Sequence, residues 1–261
     1  MIFNFLSNPH PLHKAILRND ISTFKTLLEP YLLDEKDEHG LTPYLLAKFL
    51  DRKQFLLYLR STYEEPIFKF DQNEKASIAE LEKHFEFTYN DDLKFNEEKT
   101  LFSIIKRCKK NNIDKEHLWH GYYFEKEIKS GFTADVTIKW INPILEYGLF
   151  SNVFIKKGSY IGHYGGEVRK YQKEDAKNPY CFAYQISYDK DTPFTIDARP
   201  TGTLCRFINH SYKPNLMPRL AYCNNIMYVI LIAHKDIQKG SELTFDYGPR
   251  YWERRETPVL I

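Results

Sequence analysis

The chain changes character at about residue 131, and this change constrains the fold more than any other feature. From there on, short β-type runs alternate with turns that contain glycine. The pattern predicts seven strands, at Val136–Ile141, Leu149–Ile155, Tyr160–Tyr164, Tyr180–Ile186, Thr195–Asp197, Leu216–Tyr222 and Met227–Ala233. Many short strands with few helices between them favour a compact, mostly β domain over a doubly wound parallel sheet.

The first 130 residues carry helical signals instead. A proline-led motif at Pro11-Leu12-His13-Lys14-Ala15 recurs at Thr42-Pro43-Tyr44-Leu45-Leu46-Ala47, and 32 positions separate the two prolines. This spacing is close to the ~33-residue ankyrin period. We therefore predict degenerate ankyrin-like repeats over residues 1–60. Residues 61–130 are predicted to be a helical linker or scaffold, because their apolar residues recur at helical spacing.

Composition excludes several classes of function. The chain has 261 residues, with 37 Lys and Arg against 35 Asp and Glu, and this balance argues against direct nucleic-acid readout. It contains no run of about 18 apolar residues, so we expect no membrane span. The four cysteines are far apart and form no CxxC pair, which favours a reducing, intracellular compartment and no metal site.

Four segments in the second half contain the candidate functional residues. They are Tyr147-Gly148-Leu149-Phe150-Ser151, Tyr180-Cys181-Phe182, Arg206-Phe207-Ile208-Asn209-His210-Ser211 and Gly240-Ser241-Glu242-Leu243-Thr244-Phe245-Asp246-Tyr247-Gly248. Together they resemble the SET domain of protein-lysine methyltransferases, here over residues 131–248. The resemblance implies a mostly β fold in which the Asn-His-Ser stretch threads through a loop made by the Asp-Tyr-Gly stretch. With the all-α region before it, the expected class is α+β.

The same resemblance implies a cofactor and a site. S-adenosylmethionine is expected to bind at Tyr147, Gly148, Leu149, Tyr180, Arg206, Asn209, His210 and Trp252. Tyr247 and Tyr164 are the implied catalytic residues, and Phe245, Tyr164 and Tyr251 the implied substrate channel. Phenylalanine at position 245 leaves more space than tyrosine, which implies a capacity for more than monomethylation.

The chemistry of methyl transfer is consistent with this set of residue types. A sulfonium carries its own leaving group, so the protein has to orient two reactants and exclude water, and it needs no nucleophile of its own. Free lysine has a pKa of about 10.4, so the site must also favour the neutral amine. A narrow aromatic channel with phenol hydroxyls at its mouth does both.

Two departures from the family pattern bear on this expectation. Glu146 stands where the family usually has glycine, which puts tight cofactor binding in doubt. The family's cysteine-rich flanks are absent, so the tail at 249–261 must close the cofactor pocket. Tyr251 and Trp252 are its candidates for stacking on adenine.

The resemblance leaves several interpretations of the function open. A histone tail is the favoured protein substrate, and the alternatives are a non-histone substrate or a catalytically weak adaptor that binds a protein partner. Ankyrin-like repeats beside a SET domain resemble chromatin enzymes and effectors of intracellular bacteria, and they imply a repeat-mediated protein partner. A histone substrate implies the nucleus or chromatin, which is the host nucleus if the protein is a secreted effector.

Overall fold

The computed structural model describes residues 10–60, 65–187 and 190–253. Four predicted segments therefore include residues outside the described ranges. These are the repeats predicted at 1–60, the scaffold predicted at 61–130, the mostly β domain predicted at 131–248 and the tail predicted at 249–261.

Short helices form the N-terminal unit. They are α1 (Pro11–Leu17), α2 (Ile21–Thr26), α3 (Pro43–Phe49) and α4 (Lys53–Leu59), with a 3-10 turn at Pro30–Leu32. Proline opens α1 and α3, at a position where its missing N–H costs nothing. The Asp37 side chain accepts from the N–H groups of His39 and Leu41, which turns the chain toward α3. The helical expectation matches these elements, and the ankyrin assignment stays a prediction.

The middle segment is mixed, so the expectation of a purely helical scaffold is wrong. It contains helices α5 (Ile78–Phe85), α6 (Glu98–Lys110), α7 (Lys115–Tyr123) and α8 (Glu125–Ser130), and strands β1 (Phe68–Phe70), β2 (Asn73–Ala76) and β3 (Thr88–Tyr89). Strand β1 pairs in parallel with a strand of the next region, through Phe70 and Ile138. These strands have only two to four residues each, and β1 and β3 pair with strands far along the chain, so local pattern does not reveal them.

The remaining strands build the mostly β region. Their bounds are β4 (Val136–Asn142), β5 (Glu146–Ser151), β6 (Tyr160–His163), β7 (Gly166–Lys170), β8 (Cys181–Ser187), β9 (Lys190–Gly202), β10 (Asn209–His210), β11 (Leu216–Cys223), β12 (Ile226–Ala233) and β13 (Thr244–Phe245). Two 3-10 turns, Lys173–Lys177 and Leu204–Phe207, and helix α9 (Pro249–Trp252) complete the region. Each of the seven predicted strands overlaps one of these, whereas β7, β10 and β13 were not predicted.

The strands form several small sheets. Their orders are β2-β1-β4-β5, β11-β12-β6 and β3-β9-β7 with β8 also on β9, while β10 and β13 make a parallel pair. All eight residues of β12 are buried, and this strand packs against α6. Among the described residues, none of the helices combines the length and the apolar character that a membrane crossing requires. Threading of the C-terminal segment stays a prediction.

The N-terminal unit packs against the middle segment. The N–H of Phe95 donates to the carbonyl of Phe49 at 2.7 Å. The Lys48 ammonium lies 2.9 Å from the carboxylate of Asp92, and both side chains are almost completely buried. Removal of either member of a buried ion pair leaves the other charge uncompensated in the interior. The N-terminal unit therefore contributes to the stability of the whole fold.

Candidate active site

A large groove crosses the mostly β region and gathers most of the predicted site. Its volume is about 1840 Å³, larger than the ~300–1000 Å³ usual for one small ligand, so it has room for two reactants. Ten of the twelve predicted residues line it: Tyr147, Tyr164, Tyr180, Arg206, Asn209, His210, Phe245, Tyr247, Tyr251 and Trp252.

The other two predicted residues lie behind the lining. Leu149 is completely buried in the core. A Cβ atom on Gly148 would lie 2.6 Å from Cδ1 of Ile141 and 2.8 Å from Oε1 of Glu242. Glycine at this position therefore permits a close approach of strands, and Leu149 contributes packing to the core.

Parallel pairing of β10 with β13 joins the two longest sequence motifs. Asn209 is opposite Thr244, and His210 is opposite Phe245. The side-chain amide of Asn209 donates to the Tyr147 carbonyl at 3.1 Å and to the Glu242 carboxylate at 3.0 Å. Asn209 thus ties together three segments that are far apart in the chain.

Two tyrosine hydroxyls are held in a fixed direction by the main chain. The Tyr247 hydroxyl donates to the carbonyl of Ile208 at 2.7 Å, and the Tyr164 hydroxyl donates to the carbonyl of Tyr180 at 2.8 Å. Burial raises the pKa of both phenols, so both stay neutral near pH 7. Since each hydroxyl has given its only hydrogen to a carbonyl, its oxygen remains available as an acceptor.

Aromatic rings surround these hydroxyls. The Phe245 ring lies 4.7 Å from that of Tyr247, and the Tyr251 ring lies 4.6 Å from it on another side. Phe182, which sequence reasoning did not select, lies 5.3 Å from Tyr164 and also lines the groove. Its place in the Tyr-Cys-Phe motif was the available signal. The result is an apolar passage with two phenol oxygens.

One ring nitrogen each of His210 and Trp252 has no hydrogen-bond partner among the described residues. The Tyr247 N–H donates to Nδ1 of His210 at 3.2 Å, and burial lowers the pKa of this imidazole despite nearby Asp246. The neutral ring therefore carries its proton on Nε2. Both this nitrogen and Nε1 of Trp252 are buried and have no hydrogen-bond partner among the described residues. Buried donors normally find acceptors, so this part of the groove suits a ligand with acceptor atoms.

Arg206 forms part of the wall. Its guanidinium lies 4.3 Å from the ring centroids of both Phe87 and Tyr180, and its Nε donates to the Ala198 carbonyl at 2.9 Å. Burial lowers its pKa, with partial compensation from neighbouring groups. The sequence predicts Arg206 as a cofactor-binding residue, and these contacts stack it into the wall of the groove.

Glu146, the residue that replaced the expected glycine, is accommodated by the backbone. Its φ is 56°, in the left-handed region that glycine adopts easily, and its side chain is exposed at the edge of the groove. It begins β5 and is opposite Asn142, at the tight end of the β4–β5 hairpin.

A charged cluster beside the groove was missed by sequence reasoning. Oxygen atoms of Asp175 and Asp197 and the sulfur of Cys181 lie within 4.8 Å of one another. The Arg169 guanidinium donates to both carboxylates at 2.6 Å and holds the pKa of Asp175 below its usual range. The Arg169 guanidinium thus supplies the positive charge that balances these two carboxylates.

Comparison with known proteins finds similarity in the second half of the chain. Residues 146–248 match the family model of the SET domain. The N-lysine methyltransferase KMT5A of Xenopus tropicalis is 35% identical over 112 residues, which are 40% of this chain and 33% of that protein. The H3 lysine-36 specific histone-lysine N-methyltransferase of Homo sapiens is 36% identical over 112 residues, or 39% of this chain and 4% of that protein.

A solved structure shows a similar partial match. The complex of KRYPTONITE with mCHH DNA, H3(1-15) peptide and SAH is 32% identical, with a TM-score of 0.37, and covers 43% of this chain and 23% of that chain. This chain spans a third or less of the length of the curated relatives described above. Residues 146–248 of this chain are thus similar to SET domains, and the relatives that it matches are lysine methyltransferases.

Proposed function

We propose that this protein is an S-adenosylmethionine-dependent protein-lysine N-methyltransferase that modifies histone tails and adds more than one methyl group. One observation carries the proposal. The aromatic passage around Tyr164 and Tyr247 shares one groove with ring nitrogens of His210 and Trp252 that have no partner among the described residues. The matched relatives are lysine methyltransferases, which supports the same chemistry.

The groove fits S-adenosylmethionine at one end. His210 and Trp252 offer buried donors for adenine nitrogens, and the Trp252 ring offers a face for stacking. Asn209 holds the Tyr147 main chain in place beside them. When bound, S-adenosylmethionine supplies a methyl group on a sulfonium whose sulfur keeps the bonding electron pair, so no protein nucleophile is required.

The chain's own residues prepare the lysine. An apolar passage lowers the pKa of an amine, because it disfavours the charged form, and the proton is released to water before transfer. The oxygen atoms of Tyr164 and Tyr247 accept N–H hydrogens and thereby orient the nitrogen lone pair. The surrounding rings exclude water. Phe245 leaves space beside Tyr247 for an amine that already carries methyl groups.

The charges along the groove favour a basic peptide. Carboxylates line it at Glu86, Glu146, Asp175, Glu242 and Glu253, whereas Arg206 is the one arginine or lysine in the described lining. Opposite charges steer association and select partners. Histone tails have this chemistry, and a histone substrate locates the protein at chromatin.

The test is methyl transfer from labelled S-adenosylmethionine to core histones and to a cell lysate. Tyr247→Phe should lower transfer by about 100-fold, the usual effect of losing one positioned catalytic hydrogen bond. Tyr122→Phe is the control, because Tyr122 is 80% exposed on α7 and remote from the described groove lining. Calorimetry with S-adenosylhomocysteine reports binding independently.

Each outcome decides something. Histone label that disappears in Tyr247→Phe and persists in Tyr122→Phe supports the proposal. Label on lysate proteins alone shifts the substrate to a non-histone protein. No label and no S-adenosylhomocysteine binding by the wild-type protein overturns the enzyme assignment and leaves an adaptor.

A further inference from the structure

One wall of the groove comes from outside the matched domain. His84, Phe85 and Glu86, at the C-terminal end of α5, line the groove opposite Tyr147. Glu86 adopts a left-handed conformation, φ 51°, which ends the helix at this point. Residues 146–248 alone therefore lack this wall.

Phe85 is wedged between two segments that the cofactor is proposed to touch. Its ring centroid lies 4.9 Å from that of Tyr147 on β5 and 4.7 Å from that of Phe207, which is next to Arg206. Phe70 of β1 closes the far side at 5.4 Å. Such edge-to-face packing fixes the distance between the two segments, because each ring fills the gap beside the other.

His84 holds the side chain of Tyr147. Its Nε2 lies 3.2 Å from the Tyr147 hydroxyl oxygen, and its ring packs 4.7 Å from that of Phe70. The Asp71 carboxylate is the charged group facing this imidazole, at 3.9 Å. Because Asn209 binds the Tyr147 carbonyl, this tyrosine is tied at both its main chain and its hydroxyl.

We propose that the end of α5 completes the S-adenosylmethionine site, with His84 as a positioning residue for Tyr147 and Phe85 as an apolar wall. The inference rests on the proposed function. It assigns cofactor affinity in part to the segment that precedes the SET domain, and it gives α5 a role beyond scaffolding.

The test measures binding of S-adenosylhomocysteine to the full chain by calorimetry. His84→Leu removes the hydrogen bond and should weaken binding about 2- to 10-fold, the range for one hydrogen bond. Tyr147→Phe should weaken it equally, and the double variant should lose no more than either single variant. His84→Gln keeps a donor and should lose less. Lys83→Leu, a change at the neighbouring exposed position, is the matched control.

Steady-state kinetics separate positioning from a general structural effect. In His84→Leu the KM for S-adenosylmethionine should rise by the same factor, while kcat and the KM for peptide stay unchanged. Phe85→Leu keeps much of the ring's volume and should also weaken binding, whereas a thermal melt checks that the variant is folded. Unchanged affinity in both His84→Leu and Phe85→Leu, beside measurable wild-type binding, overturns this inference alone. Failure of the wild-type protein to bind overturns the proposed function as well.

Discussion

Replacing Lys48 with methionine should destabilise the whole protein. Lys48 is on α3, in the N-terminal unit, and its ammonium lies 2.9 Å from Asp92 and 3.6 Å from Asp91. The side chains of Lys48 and Asp92 are 4% and 1% exposed. Burial alone would lower the pKa of Lys48, but attraction to Asp92 and Asp91 outweighs it and raises this pKa above its usual value.

The magnitude follows from the loss of one buried partner. Removing one member of a buried ion pair costs about 3–5 kcal/mol, because the other charge stays in the interior without compensation. For a domain of this size, 1 kcal/mol changes the Tm by about 2–4 °C, so the melting temperature should fall by roughly 6–20 °C. Because the pKa of Lys48 is raised in the folded protein, the ion pair contributes its full stabilisation at every pH below the unfolded lysine pKa of about 10.4. The effect should therefore be equal at pH 7 and pH 9.

Urea and thermal denaturation of the full chain measure this loss. Lys94→Met is the control, because Lys94 pairs with Asp51 at 2.9 Å while both side chains are partly exposed, and it should cost only about 0–1 kcal/mol. Adding Asp92→Leu to Lys48→Met should recover most of the loss, since an apolar pair then replaces the ionic one. Equal, small effects of Lys48→Met and Lys94→Met would refute the view that the N-terminal unit is locked to the rest by a buried charge.

Three further predictions concern other parts of the molecule. Phe245→Tyr should shift the product toward monomethyl-lysine, because the added hydroxyl occupies space in the passage, and mass spectrometry of the modified peptide measures the change. Gly121→Ala should cost about 1–3 kcal/mol or more in thermal denaturation, because the new Cβ would lie 1.8 Å from the Tyr222 carbonyl oxygen. Burial lowers the pKa of His13 and His163, so the unfolded chain binds more protons below about pH 6.5. The urea concentration at the unfolding midpoint should therefore decrease when the pH is lowered from 7 to 5. A midpoint that stays constant over this range would contradict this reasoning.

Local sequence patterns predict most of the strands and the central residues of the candidate site. The apolar run of β12 predicted a strand that the structure buries at every position. The Asn209-His210 and Phe245-Asp246-Tyr247 motifs supplied four residues that line one groove, without knowledge of their pairing. These features are predictable because alternation and apolar runs report burial directly, and because the motif residues are neighbours in sequence.

Tertiary structure alone decided other features. Strand β1 pairs with β4 through Phe70 and Ile138, and β2 in turn pairs with β1. With three and four residues, these strands are too short for local alternation to indicate the pairing. Lys48 is an ordinary helix residue by pattern, and only the approach of Asp92 makes it a buried ion. The same holds for His84 and Phe85, whose place beside Tyr147 depends on how α5 packs against β5. The physical reason is that local sequence sets backbone preference and burial, whereas contacts between distant segments depend on how the whole core closes.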